Sequence, residues 1–320
     1  MYAYIARRGL LFIPTILLAT ILVFALFWIV PGDAAMMILT GEEGDGGKVT
    51  QADLDNLKRE LGLDRPVYIQ YGEWLWKILQ GDFGDSVWYG TPVLDDLKDR
   101  FFITLELSVL AIILAFIAAV PLGVLSAVKQ DTFLDHISRL LALVGIALPT
   151  FWLGILVIYG LTYLAGWLPP LGYATLWGDP FTNLQQLIFP ALVLAFHDMA
   201  FTARVARSAM LEVMREDYMR TARSKGLNEW MVVGRHALKN ALLPVITVSG
   251  YQFGRLLGGT IIIESIFVIP GVGRYLIDAI IHRDFVVVQG VVLLAAAVVL
   301  LLNLVIDILY GILDPRIRYS

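Results

Sequence analysis

The sequence contains no cysteine, which removes any disulfide framework, thiolate metal site or cysteine nucleophile. It has only four histidines (His136, His197, His236 and His282), scattered and without a His-Glu-x-x-His pair. No metal site and no cofactor is expected. Charge is scarce as well. Asp, Glu, Lys and Arg make up 16% of residues, against about 25% in soluble domains. There is no basic excess: the formal net charge is −4, which argues against a nucleic-acid partner. What is abundant is apolar surface. Hydrophobic residues reach 58% and mean hydropathy is +0.74. They fall in blocks of about 20 residues, the length a helix needs to cross a bilayer. A soluble enzyme and a disordered chain are both excluded.

Six blocks stand out, near 10–30, 103–128, 137–165, 187–203, 244–268 and 287–312. Each must be helical, because lipid offers no partner to unpaired backbone groups. Six crossings put both termini on one side. Fourteen of the 24 Lys and Arg lie on that side, eight of them between Arg204 and Lys239. The short opposite loops hold none (166–186) and two (Arg274, Arg283). This bias makes the terminal side cytoplasmic; the long segment 31–102, with seven, is exempt because long loops translocate regardless of charge. The first block, about 21 residues long, is too long for a signal-peptide core of about 7–15.

Segment 31–102 carries a net charge of −7. Its Gly-rich stretch 40–47 reads as a loop. Gly47-Lys48 is not a P-loop, since the first glycine is missing, Val49 replaces Ser/Thr and no strand precedes it. Thr50 to Asp53 resembles the start of a capping box, with Leu54, Leu57 and Leu61 at helical spacing. A second helix is predicted over 66–80. Its Tyr68, Tyr71, Trp74 and Trp76 suit either the outer membrane interface or a small packed cap.

The most informative inner loop is 204–243. Glu216 and Asp217 open a short helix, Arg220, Arg223 and Lys225 close it, and Gly226 sits where a left-handed cap belongs. Asn228 is placed to cap a second helix, carrying Trp230, Val233, His236, Ala237 and Ala241, before a span opens at Pro244. Two readings fit: a basic hairpin lying on anionic lipid, or a rigid docking element that passes a push to both flanking spans.

Thr221-Ala222-Arg223-Ser224-Lys225-Gly226-Leu227, followed by Lys239-Asn240-Ala241-Leu242-Leu243-Pro244, resembles the coupling loop of ABC importer permeases. The likeness is to the dipeptide/oligopeptide, binding-protein-dependent branch, with Arg220-Thr221-Ala222 in place of the general Glu-Ala-Ala. It extends over nearly the whole chain. Arg7-Arg8, Pro31-Gly32-Asp33, Leu61-Gly62-Leu63-Asp64-Arg65-Pro66 and Gly81-Asp82-Phe83-Gly84-Asp85-Ser86 match in order. So do Pro149-Thr150-Phe151-Trp152, Trp167-Leu168-Pro169, Glu264-Ser265-Ile266-Phe267, Pro270-Gly271-Val272-Gly273 and Arg283-Asp284. The resemblance implies one of two permease subunits forming a pore, with the second a homologous chain. Two cytoplasmic ATP-binding subunits would dock on the inner loops, and an extracytoplasmic solute-binding protein would deliver peptide. It further implies that Glu216, Asp217, Tyr218, Arg220, Thr221, Ala222, Arg223, Lys225 and Gly226 form the ATPase-coupling element. Arg223 and Lys225 would meet acidic groups there, and Tyr218 would fill an apolar pocket.

Within the spans, Gly250, Gly254 and Gly258 share one helix face, for pore lining, an interface between permeases, or packing within the chain. Arg255 needs a partner or a wet cavity at its depth. Glu264, nine residues on, lies about 13 Å away in an unbroken helix, so a direct pair needs another element. His197 and Asp198 interrupt the fourth block as a polar pair lining the pore.

The reading is an all-α polytopic membrane permease, not an enzyme, with a first span (1–30), a helical extracytoplasmic insertion (31–102) and a five-helix core (103–320). Alternatives are a nickel-chelate, glutathione or other small-solute importer, a proton-driven secondary transporter, or a membrane enzyme. Against the last, no nucleophile, base and oxyanion set assembles.

Overall fold

The computed structural model describes residues 2–29, 55, 59 and 64–313. The Gly-rich stretch 40–47, the capping-box start, Pro31-Gly32-Asp33, the Leu54–Leu61 helix and the tail arginines Arg316 and Arg318 lie outside the described residues. The described chain is helical throughout, its only strand-like pairing a single bridge between Asp85 and Pro92. In chain order the helices are α1 (Tyr2–Ile29), α2 (Val67–Leu79), α3 (Val93–Val128), α4 (Phe133–Ala147), α5 (Thr150–Ala165) and α6 (Pro180–Met214). Then come α7 (Asp217–Ser224), α8 (Glu229–Met231), a π-helical turn (Val232–Ala237), α9 (Leu238–Gly259), α10 (Ile261–Ile266), α11 (Val272–Ile281) and α12 (Phe285–Leu313).

The bundle is built on α3 and α6, which share its most extensive helix–helix interface. Their approach is set by Gly123: a Cβ there would lie 2.6 Å from the Cβ of Ala206 and 2.7 Å from the Ala203 carbonyl oxygen. Gly145 does the same for α4, with Ala200 of α6 at 2.6 Å. Small residues at helix crossings let backbones touch, the packing device available where lipid removes the hydrophobic drive between helices. Around this seam Leu107, Ala111, Leu187, Ala191, Leu256 and Ile263 form the main core. Large apolar side chains elsewhere face outward, among them Leu10, Leu18 and Leu22 on α1 and Ile155 and Tyr159 on α5. A soluble surface would not carry them, a membrane-facing one does.

α3 and α6, with α12 over Phe285–Ile306, are long and apolar enough to cross a bilayer. Two expected spans are broken. The block at 137–165 is α4 and α5, bent by 100°. Pro149 explains the break: its ring disfavours helical backbone in the preceding residue, and Leu148 is extended at φ −77°, ψ 128°. The block at 244–268 is α9 and α10, interrupted at Thr260.

At the end of the bundle where α3 begins, Val93, Leu97, Tyr275, Ala279, Val287 and Val291 bind it to α11 and α12. Ser86 Oγ donates to Asp284 at 2.6 Å, and the Trp88 backbone N–H donates to the same oxygen at 3.2 Å. The Gly81–Ser86 and Arg283-Asp284 motifs are therefore one structural unit. The aromatics of α2 divide: Tyr71 and Trp74 pack on Phe24 of α1 at 5.5 and 5.7 Å, while Tyr68 and Trp76 face outward. Tyr71 and Trp74 thus pack as a cap on α1, while Tyr68 and Trp76 do not.

Candidate coupling site

α7 is too short to be stable alone, since isolated helices below about 12 residues are marginal. Its neighbours hold it. Met219 and Ala222, one turn apart, are buried in a cluster with Ala127 of α3, Ala209 and Met210 of α6, and Val232 and Val233 of the π-helical turn. The cluster lies where the ends of α3 and α6 and the start of α9 meet. Ala222 is thus part of the anchor, facing into the chain and not toward a partner.

The other residues of the predicted coupling element are exposed: Glu216, Asp217, Tyr218, Arg220, Thr221, Arg223, Lys225 and Gly226. Asp217 sits in the first turn, next to the N-cap Glu216, and Arg223 sits in the last, as the macrodipole favours. Gly226 closes the helix with φ 76°, a left-handed geometry costly for a residue with a Cβ. Asn228 caps α8 by accepting from the Trp230 N–H at 3.2 Å. The second helix then runs through the π-helical turn into α9, so Pro244 lies inside α9 and does not open it.

Two polar ties join α7 to the elements after it in the chain. Arg223 donates to both oxygens of Glu229, at 2.8 and 3.2 Å. The hydrogen bond from Arg223 holds the Glu229 carboxyl below its usual range, and the same pair raises Arg223. Asn240 Nδ2 donates to the Tyr218 hydroxyl at 2.8 Å, across 22 residues. Arg220 reaches Asp217 at 3.4 Å. Arg223 therefore has a carboxylate partner within its own chain, whereas sequence reasoning assigned it to a partner's acids. Lys225, Thr221 and the partly exposed Tyr218 complete the outward face. Met219 was missed from sequence because it and Ala222 are the only aliphatic side chains in an eight-residue helix; their i, i+3 spacing was the available signal.

The residues within the spans separate into three groups. A Cβ on Gly250, Gly254 or Gly258 would meet Ile306, Leu302 or Val299, at 3.3, 3.7 and 3.7 Å. All three neighbours belong to α12, so the glycine face packs within the chain. Arg255 does not pair with Glu264. Its guanidinium bonds the buried Asp198 carboxylate of α6, while half of the Arg255 side chain stays exposed. Gln252 extends this tie, donating to the Asp198 carbonyl at 3.2 Å and accepting from Thr202 at 2.7 Å. His197 Nδ1 lies 3.2 Å from the Gly145 carbonyl oxygen. Glu264 is wholly buried and accepts from Thr104 (2.7 Å), Thr260 (2.6 Å) and the Arg274 N–H (3.0 Å). It clamps α3, α10 and the approach to α11 together. Gly271 and Gly273 are required beside it, since a Cβ there would fall 2.5 and 3.0 Å from its carboxylate.

The comparisons with known proteins agree with this architecture. Residues 119–319 match the family model described as binding-protein-dependent transport system inner membrane component, and residues 1–108 match the corresponding N-terminal model. The dipeptide transport system permease protein DppB of Escherichia coli K12 is 42% identical, with all of both chains covered. A peptide transport system permease protein of Brucella abortus strain 2308 is 41% identical over 320 residues, again covering both chains fully. A solved amino acid ABC transporter structure is similar in fold, with TM-score 0.52 and 17% identity over 68% of this chain and 94% of its own. This chain belongs to the family of binding-protein-dependent transport system inner membrane components, the multi-pass permease subunits of such transporters.

Proposed function

We propose that this chain is a pore-forming subunit of an ATP-driven importer of di- and oligopeptides, with α7 as the element through which ATP-binding subunits act. Six crossings are assigned to α1, α3, the bent pair α4–α5, α6, the interrupted pair α9–α10, and α12. Both termini and α7 face the cytoplasm, and residues 31–102 form the extracytoplasmic insertion that receives a peptide-loaded binding protein. A second homologous permease completes the pore, and two ATP-binding subunits supply hydrolysis.

The observation that carries the reading is how α7 is mounted. Its buried side seats on α3 and α6 through Met219 and Ala222, and its polar ties reach Glu229 and Asn240 on the path into α9. A displacement of α7 is therefore delivered to three spans at once, as rigid-body switching requires. Its outward face is left for a partner. The full-length identity to dipeptide and peptide permeases supports the cargo class.

The test is uptake of a labelled dipeptide into proteoliposomes holding the extracted complex. Uptake should require ATP and the binding protein and should ignore a proton gradient. Gradient-driven uptake by this chain without ATP-binding subunits would replace the proposal with a secondary transporter.

A further inference from the structure

A cavity of about 380 Å³ opens between α3, α4 and α6, at the same end of the bundle as α7. Three arginines converge on it: Arg139 from α4, and Arg204 and Arg207 from α6. One carboxylate faces them. Asp135, wholly buried, accepts from Arg207 at 2.9 and 3.0 Å and lies 3.4 Å from Arg139. Ser126 and the Asp131 N–H also donate to it. Arg204 is stacked on Phe201 at 5.4 Å. Three positive groups against one negative leave two charges unneutralised: Asp135 holds Arg207 and draws in Arg139, while Arg204 is exposed beside Phe201.

The rest of the wall is mixed: Leu122, Ala142, Leu143 and Ile146 give it an apolar side, and Ser126, Ser138 and Ser208 add hydroxyls. Beyond it the outer face of α4 continues apolar and exposed, with Leu140 at 60% and Leu143 at 67%. The tight crossings at Gly123 and Gly145 fix the three helices, so the cavity is built into the bundle. A small inorganic anion would use the arginines and waste the apolar wall. A phospholipid uses both, its phosphate on the guanidinium groups and its chains along α4; basic pockets between spans at the cytoplasmic face are where such headgroups bind.

We propose that this cavity binds an anionic phospholipid, with Arg139, Arg204 and Arg207 on the phosphate. The proposal rests on the reading that this end faces the cytoplasmic leaflet.

The complex is reconstituted in nanodiscs of equal phosphatidylglycerol and phosphatidylcholine, released, and analysed by native mass spectrometry for retained lipid. Wild type should retain phosphatidylglycerol preferentially. Arg139→Gln combined with Arg204→Gln leaves the Arg207–Asp135 pair intact and should lower that preference about 30-fold, a little over fivefold per charge. Arg235→Gln with Lys239→Gln removes as much charge from the π-helical turn and the start of α9 and should leave retention unchanged. Equal retention in wild type and the cavity double variant overturns the proposal, as does equal loss in the loop variant. Displacement of the lipid by millimolar inorganic phosphate would also overturn it, in favour of a free-anion site. Orientation is read separately. With no native cysteine, Lys225→Cys should label only from the cytoplasmic side, and labelling from outside would fail the membrane reading without altering the lipid measurement.

Discussion

Met219→Ala tests the mounting of α7 without touching its outward face. Met219 is fully buried, and its cluster-mate Ala222 offers only one methyl group, so the thioether carries most of the apolar attachment. Truncating a buried methionine to alanine costs about 2–5 kcal/mol, the transfer of the lost atoms plus the cavity they leave. An eight-residue helix contributes little of its own to offset this. Taking the loss as about 3 kcal/mol, and 1.4 kcal/mol per factor of ten, local opening of α7 becomes roughly 100-fold more frequent. Hydrogen exchange read by mass spectrometry should show amides in 217–227 exchanging faster by about that factor, while those of α3 and α6 near Gly123 are unchanged. In the assembled importer, ATP hydrolysis should persist while uptake per ATP falls. Met219→Leu keeps the volume and should cost less than about 1.5 kcal/mol, with near-normal coupling. Unchanged exchange in α7 for Met219→Ala would refute the argument that this side chain holds the helix. Faster exchange with full coupling would refute the argument that mounting matters for transmission.

Gly226→Val forces a β-branched residue to φ 76°, and since no atom lies within 4 Å of its Cβ the cost is backbone strain of about 1–2 kcal/mol; Gly226→Asn should recover most of it, as read by co-purification of ATP-binding subunits. The Arg223–Glu229 tie has a defined pH dependence. Glu229 is depressed in the folded chain, so the tie is fully present above the carboxyl's ordinary 4.5 and is lost only as pH falls through its lower folded value. Exchange protection of α7 should therefore be flat from about pH 8 to pH 5, and Glu229→Gln should lower it across that range. Asp135→Asn breaks a buried pair and strands Arg207, so the melting temperature of the complex should drop by the equivalent of about 3–5 kcal/mol. Glu264→Gln places an amide among donors that need an acceptor, and should cost about 1–3 kcal/mol in the same measurement.

The features legible in the sequence are those set by local rules. The apolar blocks, the Gly226 cap, the Asn228 cap and the acidic-to-basic order of α7 each arise from residues within one or two turns. Hydropathy, though, measures composition along the chain and ignores backbone direction, so the blocks at 137–165 and 244–268 read as continuous. Pro149 was visible, and its effect on Leu148 is a local rule that the apolar run concealed. Thr260 gave no such warning: its hydroxyl shares the Glu264 carboxylate with Thr104, which lies 160 residues from Glu264 in the chain.

Partner choice is the part the sequence did not yield, and the two intramembrane acids show why. Asp198 and Glu264 are both buried carboxylates, and Arg255 lies nearer in sequence to Glu264. The break at Thr260 and the packing of α9 on α6 and α12 turn Arg255 toward Asp198 instead. The outcome is physically consistent. Glu264 is satisfied by neutral donors and needs no cation, whereas Asp198 has one side-chain oxygen without a partner among the described residues and takes a charge on the other. The half-exposed Arg255 then adds a charge pair to the Gln252 hydrogen bonds that tie α6 to α9, two helices on which α7 is mounted. A push on α7 and a charge pair in the membrane thus act on the same two helices. Replacing Arg255 with Met, which keeps much of the stem and removes the charge, should change uptake per ATP while leaving α7 exchange as in wild type. An unaltered ratio would leave the pair as packing alone.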